Sequence, residues 1–550
     1  MWKLKSLKGL DFYECKLSGS IPNSIGNLSN LSYLDLSKNN WSSGPIPPEI
    51  GKLNKLEYLA IIKSNLIGSI PQEIGLLTEL TVLELSNNSL SGVIPETIGN
   101  MRKLNGLYLR YNNKLSGTIP QSLWNMSSLT DIYLFNMNLS GSIPDSIQNL
   151  VSVNFLSLDF NQLSGSIPST IGNLKNLTHL YLGMNRLSGS IPASIGNLIN
   201  LQAFSVQVNN LSGTIPATIG NLQLLNVFEV ATNKLYGRLP DGLYNITDWH
   251  SFVVSENDLV GHLPPKICSG GILYNFNADH NRFTGLVPTS LKDCSTLERF
   301  RIDKNSIEGD IARDFGVYPK LEYIDMSDNK LHGHISPNWG KSLDLDTFII
   351  SNNNVSGGIP LELIGLPKLG KLHLSSNHLI GKLPKELGRM KSLVELKISN
   401  NHFTDSIPAE IGLLKILNEL DLGGNELSGT IPEEVVKLPR LRNLNLSRNK
   451  IEGSIPFQFG SDLESLDLSG NFLNGKIPPS LGNLVRLSML NLSHNMLSGT
   501  IPQNFRKFQL FLMLHLNHSK IIKAYAEIFH VWILVPQIIA KMSFKSYSLR

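Results

Sequence analysis

Three stretches carry residues of the kind that do chemistry. Asp314-Phe315-Gly316 matches the triplet with which protein kinases hold a metal ion. That use also needs a catalytic-loop motif and a Gly-rich nucleotide loop, and neither precedes it. Gly365 to Gly370-Lys371 comes near a phosphate-cradling loop, but Leu372 stands where a Ser or Thr hydroxyl would reach magnesium. The 13 His include no H-E-x-x-H pair. Nucleophile, base and oxyanion donor cannot be assembled from these residues. The sequence therefore predicts no enzyme, no catalytic or metal site and no cofactor.

What remains is binding chemistry, and the elements that would position it come from a repeat. At 550 residues, a prior of roughly 150 residues per domain would suggest several domains. Composition argues otherwise: 91 Leu, 45 Gly, 28 Pro and only 3 Cys point to an internal period. With 41% hydrophobic and 17% charged residues the chain is neither disordered nor collagenous. Three Cys exclude a disulfide-stapled miniature fold, and a net charge of +4 is too mild to indicate nucleic acid.

The period is 24 residues: L-x-x-L-x-L-x-x-N-x-L-x-G-x-I-P-x-x-I-G-N-L-x-x, in 21 units from Leu7 to Leu510. The L-x-x-L-x-L stretch alternates as a short strand does, so successive coils can pair in parallel. Asn fills its slot in 18 of 21 units, the exceptions being Cys15, Ser64 and Met137. An inward Asn has donors and an acceptor for the turn that leaves the strand, and stacking makes these a ladder. Cys15 reads as a small buried replacement. Gly holds its slot in 20 units, failing at Asp405, and Pro in 19, replaced by Ala312 and Ser336. Gly suits a turn that other residues resist, and Pro belongs in the return segment, not in the main strand. One coil cannot bury its apolar face alone, and a stack can. The expectation is an α/β-type solenoid over residues 7–510, with a concave parallel β-sheet and no internal domain boundary.

On such a sheet the residues between the Leu face outward. Units 5 to 8 place Tyr108, Arg110, Tyr111, Tyr133, Phe135, Phe155, Asp159, Phe160, His179 and Tyr181 there. This is either a binding surface or a cross-strand stack that stabilises the sheet. Units 12 to 14 present Asn277, Asp279, His280, Arg299, Arg301, Asp303, Lys304, Tyr323 and Asp325, a possible clamp for a peptide carboxylate or a self-neutralising ladder. Units 18 to 21 show small polar residues: Gly423, Gly424, Asn445, Ser465, Ser469 and Ser493.

The segments Leu17-Ser18-Gly19-Ser20-Ile21-Pro22 and Leu497-Ser498-Gly499-Thr500-Ile501-Pro502 resemble the plant-specific class of leucine-rich repeat. The resemblance implies a leucine-rich repeat superhelix of about 21 plant-type repeats. Lys266-Ile267-Cys268, Asp314 to Pro319, Asn338-Trp339-Gly340-Lys341 and Ile350 to Asn354 resemble the ectodomains of plant receptor-like kinases of the male-discoverer-interacting type. That resemblance implies an extracellular module, at the plasma membrane or in the apoplast. It would bind a secreted peptide or protein ligand and pair with a co-receptor kinase ectodomain near its C-terminal repeats. Alternatives are a secreted inhibitor similar to polygalacturonase-inhibiting proteins, or an intracellular repeat scaffold.

Departures from the family pattern also shape the expectation. Residues 1–6 read as a truncated edge with no apolar leader region, no paired-Cys cap follows the last unit, and Ser342 stands where the subgroup would carry Cys. Residues 511–550 read as a divergent tail, in which 524–540 is either a short membrane span or non-homologous sequence. Together these predict the middle of a longer protein without its kinase. Cys268 and Cys294 fall in adjacent coils two slots apart, which leaves open a disulfide or two buried thiols. Thirteen Asn-x-Ser/Thr sequons, among them Asn27, Asn40, Asn125, Asn176, Asn245, Asn354 and Asn445, would be glycosylation sites in a secreted chain.

Overall fold

The computed structural model describes residues 4–42, 44–507 and 511–513. The possible span at 524–540 lies outside them. Among the described residues no helix is long and apolar enough to cross a membrane. The chain divides into two compact units, Met1–Ser290 and Leu291–Arg550.

Both units are built from the same coil. In the first, twelve three-residue strands run from Gly9–Asp11 to Asn275–Asn277 among the described residues. In the second, ten run from Arg299–Arg301 to Phe511–Met513. Pairing is parallel and in register at one repeat per step: Leu156 faces Leu180, which faces Phe204. The Leu slots are buried, as the alternation requires. Aromatic rings replace Leu in part of each unit. Phe204, Phe228, Phe252 and Phe276 form an internal spine with centroids 6.1, 5.7 and 5.9 Å apart, and Trp249 packs edge-on against Phe252. In the second unit Trp339 meets Phe315, Tyr318 and Phe348.

The Asn ladder forms as its donor inventory dictates. Asn161 Nδ2 donates to the carbonyls of Leu158 (3.0 Å) and Leu134 (2.7 Å), and its Oδ1 accepts from Leu139 N–H (3.0 Å). One side chain thus serves its own turn and, through both an acceptor and a donor, the preceding coil. Asn401 repeats the pattern with Ile398, Leu374 and Leu379. Ser64 fills in with a hydroxyl that donates to Ile62 O at 2.8 Å, and Met137 is buried without polar contacts to offer. Cys15 corrects the expectation of a buried thiol: it is exposed. It sits in the first described coil, and among the described residues no earlier coil roofs its slot.

The Leu-x-Gly segments form a second parallel ladder that the sequence pattern did not reveal, for example Lys114–Thr118 beside Asn138–Ser142 beside Gln162–Ser166. Gly141 in this ladder has φ of +88°, and a Cβ there would meet Thr118 Cγ2 at 2.9 Å. The return segments after Pro are 3₁₀ turns such as Ser169–Asn173, with four-residue α-helices at Leu361–Ile364 and Glu433–Val436. The Ile-Gly pair of the turn has a separate cause. A Cβ on Gly172 would lie 2.4 Å from Ser194 O of the next coil, so only Gly lets the turns stack.

Candidate ligand-binding surface

Each coil offers its third, fifth, seventh and eighth residues to the outer face of the main sheet. In the first unit, the strands Gly106–Tyr108, Asp131–Tyr133, Phe155–Ser157 and His179–Tyr181 carry rings on these positions. The rings form one continuous belt. Tyr108 lies 5.1 Å from Tyr133, and Tyr133 stacks on Phe155 at 4.3 Å. Phe155 continues to His179 at 5.1 Å and Tyr181 at 5.5 Å. Phe135 and Tyr111 join at the side, edge-on at 5.1 Å. The guanidinium of Arg110 sits 5.1 Å over the Tyr133 ring and 5.8 Å over that of Tyr108. Strand spacing of about 4.8 Å is what permits this stacking from coil to coil.

The belt is polar at its tips. Burial pushes the phenols of Tyr108 and Tyr181 up to about 12, and raises Tyr133 as well. All three are therefore protonated at neutral pH. Among the described residues their hydroxyls make no hydrogen bond within the protein, so they keep a donor for a partner. Asp159 is half-buried and accepts from the Ser157 hydroxyl, and burial raises its pKa. It acts as a bracket within the belt's edge.

The second predicted group looks different in the structure. In the first unit Asn277 is half-buried and donates to Asn275, and Asp279 is buried and pairs with His280 at 3.0 Å. In the second unit Asp303 is buried against Arg301 at 3.1 Å, and Asp325 is buried and accepts from Ser327 N–H at 3.0 Å. The alternation placed these carboxylates on the displayed face. On that face the structure leaves Asp279, Asp303 and Asp325 buried rather than open, because a short Asp side chain there can reach hydrogen-bond donors of its own or a neighbouring coil. Arg299 remains exposed and lies 4.2 Å over the Tyr323 ring.

Sequence reading missed a charged network in the second unit. Lys371 and His373 contact Glu395 at 2.7 and 2.9 Å, and Lys397 reaches Glu419 at 3.0 Å. Reading the third and fifth slots of units 16 to 18 together would have found it. Lys371 of the apparent phosphate loop is a strand residue of this network. The kinase-like triplet is structural too: Asp314 accepts from Asp310 N–H at 2.8 Å, Arg313 pairs with it and lowers its pKa, and Phe315 is buried. Near the end of the second unit, Ser399, Asp421, Gly423, Asn445, Ser469 and Asn491 border a depression of about 300 Å³.

Of the seven sequon asparagines named above, six are exposed. Asn445 is half-buried on the main sheet, donating to Asp421 at 2.7 Å and accepting from Ser447 N–H at 3.0 Å. Cys268 and Cys294 are each disulfide-bonded, and Cys15 is a free thiol.

Coil, ladder and displayed belt define a leucine-rich repeat protein. Family models agree: a leucine-rich repeat region matches residues 34–167, and a leucine rich repeat matches 391–451. Single repeats match 6–28, 176–198, 320–342, 368–390, 462–484 and 486–508. None of these models describes an enzyme. Three solved structures place the chain more closely. The Arabidopsis receptor kinase HAESA, in complex with the peptide hormone IDA and the co-receptor SERK1, is 36% identical over 93% of this chain and 82% of its own, with a TM-score of 0.74. The plant peptide hormone receptor RGFR1, in complex with RGF2, is 36% identical over 92% and 77%, with a TM-score of 0.69. The PEPR1–AtPEP1 structure is 33% identical over 93% and 76%, with a TM-score of 0.78. The chain belongs to the family of plant leucine-rich repeat receptor kinase ectodomains. Curated protein sequences yield no match.

Proposed function

We propose that this chain is a peptide-recognition module that works outside the plant cell, with its ligand laid across the belt from Tyr108 to Tyr181. The continuous, half-exposed aromatic belt with Arg110 at its edge carries this reading. Rings that keep free hydroxyls supply apolar area and directed donors together, the combination that marks binding hot spots. Kinship with ectodomains solved in complex with peptides supports it. Arg299 over Tyr323 is a further contact point in the second unit. Arg299→Glu probes it more cleanly than Arg301→Glu, which would set a new carboxylate against buried Asp303.

Pairing with a co-receptor is the second part of the proposal. The glycines and small polar side chains at Gly423, Gly424, Asn445, Ser465, Ser469 and Ser493, several of them bordering the depression near the end of the second unit, leave room for another backbone to approach closely. HAESA, solved with a co-receptor, supports it. The test is calorimetry against a panel of synthetic secreted plant peptides. A panel member that binds wild type and loses affinity with Tyr133→Ala and Phe155→Ala supports the belt. Binding that both variants leave unchanged removes it. Glycan occupancy in plant-made protein checks the location: carbohydrate is expected at exposed sequons such as Asn27 and Asn176, and absent from Asn445.

A further inference from the structure

Beside the belt, five coils of the first unit enclose a groove of about 530 Å³, lined by Tyr13, Lys38, Lys63, Asn87, Arg110 and Tyr111. Its size falls within the roughly 300–1,000 Å³ of ligand pockets. Sequence reading singled out only its last two residues. Lys38, Lys63, Asn87 and Tyr111 are each the eighth residue of their coil, where the backbone is left-handed, with φ of 53°, 48°, 57° and 59°. This repeating turn sets their side chains in a row with one coil per step, a spacing of about 4.8 Å.

The lining contains three cations and no carboxylate. Two of the cations have acidic neighbours outside the lining: Lys38 meets Glu14 at 3.3 Å, and Arg110 stands 3.9 Å from Glu84. Glu84 is itself buried and accepts from Ser86 N–H, so it is largely committed. Lys63 is exposed and has no ion-pair partner among the described residues. Tyr13 and Tyr111 give the groove aromatic walls, and Lys38 is held 4.6 Å over the Tyr13 ring. Excess positive charge in a concave, partly apolar site selects an anionic partner that also has apolar surface.

We propose that this groove binds an acidic segment of a peptide ligand. Its carboxylates would meet Lys63, Lys38 and Arg110, and an aromatic or aliphatic neighbour would pack on Tyr13 and Tyr111. The proposal rests on the peptide-binding reading above and names the chemistry of one end of the ligand.

The probe is the capped pentapeptide Glu-Glu-Tyr-Glu-Glu, compared with its Gln counterpart by fluorescence anisotropy on the full chain. The Glu peptide is expected to bind about tenfold more tightly, with an advantage that shrinks as salt rises. Lys63→Glu is expected to remove that advantage, and Lys63→Gln most of it. Lys63 is unpaired and exposed, so both variants should fold, which thermal melts check. Lys52→Glu changes net charge equally on a return turn away from the groove and should leave the preference in place. Equal affinity for Glu and Gln peptides overturns the proposal. So does a loss with Lys52→Glu as large as with Lys63→Glu, which would mean attraction to net charge alone. If the groove fails while Phe155→Ala still weakens a panel peptide, the belt stands without it.

Discussion

The aromatic belt and the charged network occupy the same slots of the same coil, one in each unit, yet they solve the surface differently. At Tyr108, Tyr133, Phe155 and Tyr181 neighbouring strands stack rings and leave phenol hydroxyls unspent. At Lys371, His373, Glu395, Lys397 and Glu419 they neutralise one another. A ligand on the network must first break ion pairs, whereas a ligand on the belt meets area and donors that nothing else uses. The repeat fixes spacing and direction only, and side-chain chemistry decides which stretch is a site.

If the scaffold beneath both regions is the same, removing a ladder Asn must cost the same in each. Asn161→Ala and Asn401→Ala each strip hydrogen bonds from three buried backbone carbonyls and one N–H. Unsatisfied buried groups of this kind imply roughly 3 kcal/mol apiece, read by urea denaturation. A much smaller loss at Asn161 would show that the belt, rather than the ladder, holds its coils together.

Surface substitutions should separate the two regions instead. Phe155→Ala is expected to cost about 2 kcal/mol of affinity for a panel peptide, close to 30-fold. Lys397→Ala should change affinity by less than about 0.5 kcal/mol, as exposed ion pairs do. Equal effects would mean that the network also binds.

A smaller difference lies in the left-handed eighth residue. Beside the belt it is Phe160, Met184 or Val208, at φ of 53°, 52° and 53°, and near the network it is Asn352, Ser376 or Asn400. Asn tolerates this conformation and a β-branched side chain resists it. Val208→Asn should stabilise the chain by about 0.5–1 kcal/mol, and Asn400→Val should destabilise it comparably, both seen as shifts in melting temperature. An opposite sign at Val208 would mean that its apolar contacts outweigh the backbone strain.

Much of this was legible in the sequence because each slot repeats. The strand, the Asn ladder and the Gly turn were readable at nearly every coil, and so were the rings at Tyr108 to Tyr181, since alternation alone sends them outward. Asp279, Asp303 and Asp325 were not, because alternation gives the face of a residue and not whether its carboxylate folds back to a donor. The groove at Lys38 and Lys63 escaped for a related reason. It depends on a left-handed residue that carries no Gly signature, being filled by Lys, Asn, Tyr, Phe, Met and Val in turn. Cys15 misled because a slot is buried only when another coil covers it.

The finest distinction between the regions is their response to acid. Burial, and then the charge of Lys397, hold the His373 imidazole below its usual range against the opposing pull of Glu395. Burial alone lowers His179 in the belt. In both cases the unfolded chain binds the proton more readily than the folded one. Stability is therefore full above about pH 6.5 and declines as pH falls through that value. Glu395, lowered by Lys371 against the effect of burial, acts only in a more acidic window and does not confuse the reading. Denaturation midpoints at pH 7.5, 6.5 and 5.5 should fall in that order, and His373→Gln should flatten the fall. Lys397→Ala should flatten it partly, because it removes one of the three causes that lower His373, the others being burial and Lys371, and none acting on His179. A pH response that Lys397→Ala leaves untouched would mean that the Lys397 charge does not bear on His373, and that the network's lysine adds nothing to what burial and Lys371 do there.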